Sequence, residues 1–273
     1  MNSESRGREF YILAVFFALF VLFLYGPLSA ILILSFQGPD GGLTFPLNGV
    51  SFHWFTNLFE KQAVGDFGGS FRRSLTLGIM VMIVTVVVSL LAGLAFRRKF
   101  KGATALFYLS VASLVVPSII ISLGIGVLFQ QVGLEPSWFT SAFGAHLTWT
   151  LPFGVLIMFA VFNRFSPAYE EAARDLGASS WQTFYHVVLP MIAPSLIGVG
   201  LFGFTLSYDE FARTLMTSGT YNTLPLEIYG MTTNVTTPVL YALGTVTTLF
   251  SFTIILVALG IMTMLSRRQA KID

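Results

Sequence analysis

The chain has 273 residues, of which 55% are apolar or aromatic and 10% are charged, against about 25% charged in an ordinary soluble domain. That balance excludes a water-soluble monomer, because a domain of this size has too little interior for so much apolar side chain; the 28 Phe and a mean hydropathy of +0.78 describe lipid-facing surface instead. A formal charge of +2 leaves no basic footprint for nucleic acid, and the absence of Cys removes disulfides and thiolate metal sites.

A helix that crosses the hydrocarbon core needs about 20 apolar residues. Six uncharged runs reach that length: 10–36, 74–96, 102–134, 136–163, 187–208 and, beyond Glu227, about 239–266. The first is longer than the apolar core of a signal peptide and lacks a small-x-small site at its end, so it reads as a retained span. Segment 37–71, between the first two runs, is polar and Gly-rich, with "GPDGG" and "GDFGGS" marking turns. It is expected to be an extracytoplasmic loop or short interfacial helix, and Phe52, Trp54, Phe55 and Phe59 suit an aromatic belt. Pro27, Pro117, Pro152 and Pro194 lie inside apolar runs and predict kinked helices. "GIG" at 124–126 and "GVGLFG" at 198–203 predict close helix–helix approach.

Orientation follows from the basic residues, which concentrate in cytoplasmic connections. With the N-terminus inside, Arg6, Arg8, Arg97, Arg98, Lys99, Lys101, Arg164, Arg174, Arg267, Arg268 and Lys271 fall inside, eleven of the 15 Lys and Arg. Lys61, Arg72, Arg73 and Arg213 remain outside, and the Arg72-Arg73 pair opposes this arrangement. The expectation is an all-α membrane protein with six transmembrane helices, N-in and C-in, forming one domain over 1–273.

No G-x-x-x-x-G-K-[ST] occurs, so the chain has no phosphate-cradling loop with which to hydrolyse ATP itself. His53, His146 and His186 are widely separated and match no metal-ligand spacing. His146, inside the fourth run, is expected to be a hydrogen-bonded packing residue or a pore-lining donor.

The stretch 166–190, "SPAYEEAARDLGASSWQTFYHVVLP", is a charged interruption between two spans. Ser166 and Pro167 form a helix start, with Glu170 and Glu171 placed for the helix dipole; Gly177 is a stop. Ser179 and Gln182 then form a capping box opening a second helix, whose Trp181, Phe184, Val188 and Leu189 make an apolar stripe. The product is a helix–turn–helix pinned at both ends by spans. Within it, Glu171, Ala172, Ala173 and Gly177, then Val187, Leu189 and Pro190, match E-A-A-x-x-x-G followed after nine residues by I-x-L-P, with Val187 in place of Ile. This resembles the EAA motif of binding-protein-dependent type I (MetI-like) ABC-importer permeases. The resemblance implies that the segment is a coupling helix for a separate ATPase subunit, through Glu170, Glu171, Ala172, Ala173, Asp175 and Gly177.

Beyond the fifth run, "SYDEF", Thr217-Ser218-Gly219 and "LPLEIYGM" are similar to the spermidine/putrescine (polyamine, PotC-like) permeases, with Tyr208 where Phe is frequent. "PLSAILILSF" and "VSFHWFTNLF" also fit that group. Asp209 and Glu210 are candidate acceptors for an ammonium, and Tyr208, Phe211 and Trp149 candidate cation–π faces on a translocation path. The other reading of the same residues is that Asp209 or Glu210 pairs with Arg213 and stabilises the helix end.

The resemblance implies half of an ATP-driven importer, with no cofactor in this chain and ATP and Mg on partner subunits. The implied partners are a second permease of similar fold, an ATPase dimer and an extracytoplasmic solute-binding protein, in the inner membrane of a prokaryote. A gradient-driven secondary transporter or channel is the alternative; it should show ionisable residues at mid-membrane in paired positions, and none are evident.

Overall fold

The computed structural model describes residues 7–60, 65–234 and 237–269. Arg6, Lys61 and Lys271, counted above for orientation, lie outside the described residues. Every long element is a helix, as hydrocarbon requires of a chain that must satisfy its own backbone. In chain order they are α1 (Arg8–Leu34), α2 (His53–Asn57), α3 (Phe67–Phe96), α4 (Ala103–Ala112), α5 (Ser118–Gln131), α6 (Ser141–Arg164), α7 (Ala168–Asp175), α8 (Ser180–Thr183), α9 (Leu189–Tyr208), α10 (Leu224–Asn234) and α11 (Val239–Gln269). A π-helical turn over Phe184–Val188 joins α8 to α9 in one continuous helix, Ser180–Tyr208. Among the described residues, five helices are long and apolar enough to cross a membrane: α1, α3, α6, Ser180–Tyr208 and α11.

The run 102–134 is divided. Pro117 disfavours helical backbone in the residue before it, and α4 stops at Ala112 while α5 begins at Ser118. Pro27, Pro152 and Pro194 interrupt nothing: each lies inside a continuous helix. The π turn has a similar origin. Pro190 offers no N–H and crowds the carbonyl four residues back, and Leu189 donates its N–H five residues back, to Phe184.

The chain forms two compact units. Of the described residues, the first comprises 7–60, 65, 231–234 and 237–250. Only Leu34 of α1 is buried, in keeping with a lipid-facing helix. The following loop is organised by one buried side chain: Gln37 donates Nε2–H to the Gly42 and Thr44 carbonyls (3.1 and 3.4 Å) and accepts from the Asn48 N–H (2.7 Å). Tyr241 at the start of α11 donates its hydroxyl to the Leu43 carbonyl (2.6 Å). Phe36, Phe52 and Phe55 cluster with ring centroids 5.3–5.9 Å apart, so these aromatics pack on one another, while the Phe59 ring is exposed.

The second unit comprises, of the described residues, 66–230 and 251–269. Its core is the mutual packing of α3, α6 and α9, and the close approach depends on small residues. A Cβ on Gly93 would lie 2.9 Å from the Met158 Cβ and 2.8 Å from the Phe162 ring, and Gly154 faces Ser89 and Thr85. Gly200 and Gly203 meet Met82, Val86 and Thr85 of α3, and Gly126 meets the Met216 carbonyl, whereas Gly124 and Gly198 face open space. Both small-residue motifs therefore serve close approach, through some of their glycines only. Around this seam Met158, Phe162, Val188, Ile192, Leu196 and Val199 form the buried cluster. Thr85 and Thr150 hydrogen-bond across it at 2.8 Å.

At the other end of α3, Asp66 caps the helix by accepting from the Gly69 N–H. Arg73 donates to the Asn222 carbonyl (2.7 Å), lies 3.5 Å from Asp66 and covers the Tyr221 ring. The Arg73 charge that opposed the orientation rule is thus compensated locally.

Gly93→Val should overpack the α3–α6 seam by about 1–3 kcal/mol and lower the melting temperature of the detergent-solubilised protein. Gly124→Val, where a side chain meets nothing, should leave it unchanged.

Candidate functional site

Segment 166–190 is built from three local devices. Pro167, one residue later than the sequence suggests, is the N-cap of α7, and Glu170 and Glu171 occupy the first turn. Gly177 has φ +86°, the left-handed region where only Gly is unstrained. Its N–H bonds to the Arg174 carbonyl (2.8 Å) and that of Ala178 to the Ala173 carbonyl (3.0 Å), a Schellman motif. Ser179 and Gln182 then cap α8 reciprocally.

Glu171, Ala172, Asp175 and Gly177 are exposed and Ala173 is half-buried. Glu170 turns inward instead, accepting from Arg97 Nη1 at 2.6 Å and lying 3.9 Å from Arg174. The Arg97 guanidinium also covers Phe162 and Phe165, 5.2 and 5.3 Å from the ring centroids. Glu170 and Arg97 therefore join α7 to the end of α3. Sequence reasoning counted Arg97 only as a topology charge. It also placed Trp181 on an apolar stripe with Val188; Val188 is buried, but Trp181 is 71% exposed beside Tyr185. Leu176, at 90% exposure, was not singled out at all. A large apolar side chain at a helix stop carries no sequence signal that distinguishes a packed position from a presented one.

The second polar region follows α9. Arg213 is fully buried. Its guanidinium lies 4.6 Å from the Trp149 ring, Nη1 donates to the Ser118 hydroxyl (2.5 Å) and Nε to that of Thr148 (3.3 Å). Glu210 accepts from the Arg213 backbone N–H at 2.9 Å, and its carboxylate is 3.9 Å from Nη1. Ser122 of α5 donates to the Arg213 carbonyl and accepts from the Met216 N–H. Residues 210–216 are thereby fastened to both α5 and α6.

His146 lies beside them and takes the packing role. Nδ1 pairs with Ser207 (2.8 Å) and Nε2 with Thr214 (2.9 Å). The Thr214 hydroxyl is donated to the Glu210 carbonyl, so the proton between His146 and Thr214 belongs to Nε2 and Nδ1 accepts from Ser207. Among the described residues, no group of three or more His, Asp or Glu is placed to hold a metal ion.

Trp149 and Glu210 are thus brought together, but by an internal cation. Of the two readings left open by the sequence, Glu210 follows the i, i+3 pairing with Arg213. Asp209 does not: it is exposed at the end of α9, with no ion-pair partner among the described residues, and desolvation by the protein pushes its carboxyl above the usual carboxylate range. Tyr208 is buried and stacks on Phe204 at 5.6 Å, and Phe211 packs on Tyr229 at 5.0 Å. The hydroxyls that receive Arg213, Ser118 and Thr148, were missed, since isolated Ser and Thr in apolar runs have no distinguishing spacing.

Arg213→Lys keeps the charge but loses the planar fork that stacks on Trp149 while reaching two hydroxyls. It should destabilise the folded protein by about 1.5–3 kcal/mol, seen as a lower melting temperature with helical content intact.

Residues 85–271 match the family described as "Binding-protein-dependent transport system inner membrane component". The spermidine/putrescine transport system permease protein PotC of Haemophilus influenzae is 27% identical over 252 residues, 92% of this chain and 96% of the relative. The putrescine transport system permease protein PotI of Escherichia coli K12 is 27% identical over 231 residues, 82% and 80% of the two chains. Among solved structures, a bacterial ABC transporter involved in import of the acidic polysaccharide alginate superposes with a TM-score of 0.70 at 18% identity, over 93% of this chain and 94% of the other. The same kind of transporter in complex with an alginate-pentasaccharide-bound periplasmic protein gives 0.66 at 18% identity, over 96% and 94%. With the family match running through α6, segment 166–190 and α9, the chain belongs to the binding-protein-dependent, MetI-like family of inner-membrane ABC-importer permeases, whose subunits are not themselves catalytic.

Proposed function

We propose that this chain is the polyamine-conducting half of an importer, one permease domain over 1–273 with six spans, N-in and C-in, in which α4 and α5 together make the third crossing. The observation that carries this reading is the coupling segment. A helix–turn–helix, closed by the Gly177 stop and the Ser179–Gln182 capping box and continuous with α9, presents Glu171, Ala172 and Asp175 together with the exposed Leu176, Trp181 and Tyr185. Large exposed apolar groups rimmed by charge are what a partner surface requires. A partner ATPase dimer docks there and supplies ATP hydrolysis and Mg; Ala172 and Ala173 allow close approach, Gly177 shapes the turn and Glu170 transmits the motion to α3 through Arg97.

The likeness to spermidine/putrescine and putrescine permeases supports a polyamine substrate. Asp209 supports it chemically, as an exposed carboxylate close in sequence to the aromatic residues Tyr208 and Phe211, suited to an ammonium. Glu210 and Trp149 border the same path by holding Arg213 behind it. A second permease of similar fold completes the path, and a solute-binding protein delivers substrate to the outer loops, including 37–71. The family's dependence on a binding protein supports that last step.

Two measurements test this. Asp209→Asn should lower putrescine or spermidine uptake about tenfold, the loss of one charge-assisted contact, while assembly is retained; unchanged uptake removes Asp209 from the path. Gly177→Val forces a β-branched residue into positive φ and should leave ATP hydrolysis running without uptake in reconstituted vesicles; normal uptake would remove the coupling role.

A further inference from the structure

A cavity of about 640 Å³ lies where the end of α3 meets the coupling segment. Its polar wall holds Arg97, Arg98, Arg174 and Glu170, with Ser180 and Thr183 of α8. Three guanidiniums thus meet one carboxylate, and that carboxylate is engaged by Arg97 at 2.6 Å and approached by Arg174 at 3.9 Å. Arg98 has no carboxylate within ion-pair distance among the described residues, so the cavity keeps an excess of positive charge. Thr183, only 2% exposed, has a hydroxyl with no hydrogen-bond partner. A buried hydroxyl left unpaired is costly, and an oxyanion in this cavity would satisfy it.

The surroundings give this anion site a second, apolar half. Ala95 lines the cavity, and Leu91 and Val88, four and seven residues before it, share its helical stripe and are exposed. On the other wall Val188 lines the cavity, and Met191, three residues on, is exposed. Exposed apolar surface therefore runs from the cationic cavity along both transmembrane helices.

We propose that this cavity binds the phosphodiester headgroup of an anionic phospholipid. Arg98 and Arg174 neutralise the phosphate, the Thr183 hydroxyl donates to one of its oxygens, and the acyl chains lie along Leu91 and Val88 on one side and Met191 on the other. A free phosphate, or an acidic side chain of a docked ATPase, offers the same oxygens but makes no use of these apolar stripes.

The test uses the assembled importer, extracted from vesicles of equal phosphatidylglycerol and phosphatidylcholine, with the retained lipids counted by native mass spectrometry. Phosphatidylglycerol should be retained in preference to phosphatidylcholine. Arg98→Gln should reduce its retention about fivefold, the effect of one basic residue near an anionic headgroup. Thr183→Val should also reduce it, and Arg98→Lys should preserve it. Three results overturn the proposal. Equal retention of the two lipids removes the charge selectivity, and unchanged retention in both Arg98→Gln and Thr183→Val removes the cavity as the site. Displacement of the lipid by millimolar inorganic phosphate assigns the cavity to a free anion.

Discussion

Hydrocarbon offers no hydrogen bonds, so each polar group this chain carries into the apolar region must find its partner in the chain itself. Arg213 is the severest instance. Fully buried, it is met by Glu210, by the Ser118 and Thr148 hydroxyls and by the Trp149 ring, with Nη2 alone left without a hydrogen bond. The break at Pro117 is part of the same account. Ending α4 before the proline brings Ser113 to the Thr148 carbonyl and Ser118 to Arg213. What looks in isolation like a helix defect is where the segment after α9 is anchored.

The same constraint explains why helix packing rests on small residues rather than on an apolar driving force, which lipid does not supply. Gly93, Gly154 and Gly203 let α3, α6 and α9 approach until Thr85 and Thr150 can pair across the seam. From that core, α9 runs back without a break through a π turn into α8, and so into segment 166–190. Arg97 and Glu170 add a second connection, from α3 to α7. The helix–turn–helix is thus joined to the bundle through two helices that are themselves packed together.

Much of this was readable from residue types alone, and for a physical reason. Span length, basic asymmetry, N-caps, the Gly177 stop and the capping box are local properties, set by a few adjacent residues and the solvent they face. The Gly177 stop and the Ser179–Gln182 box stand where the sequence put them, with the start of α7 shifted by one residue. Pro117 was read as a kink and is a break, because nothing local says whether neighbouring helices will supply partners for the freed backbone groups.

What residue types could not supply was pairing across long separations. Glu170 meets Arg97 at the end of α3, a pairing that no spacing signalled, and Arg213, whose i, i+3 pairing with Glu210 is local, finds its hydroxyls on Ser118 and Thr148 of two other helices. The direction in which Leu176 and Trp181 point belongs to the same class. The sequence alone established an all-helical membrane chain with a helix–turn–helix over 166–190, since hydropathy, charge and turn chemistry act over neighbouring residues. Tertiary packing decided which charges are spent inside the protein and which, like Asp209 and Arg98, remain available, because that depends on groups brought together from opposite ends of different helices.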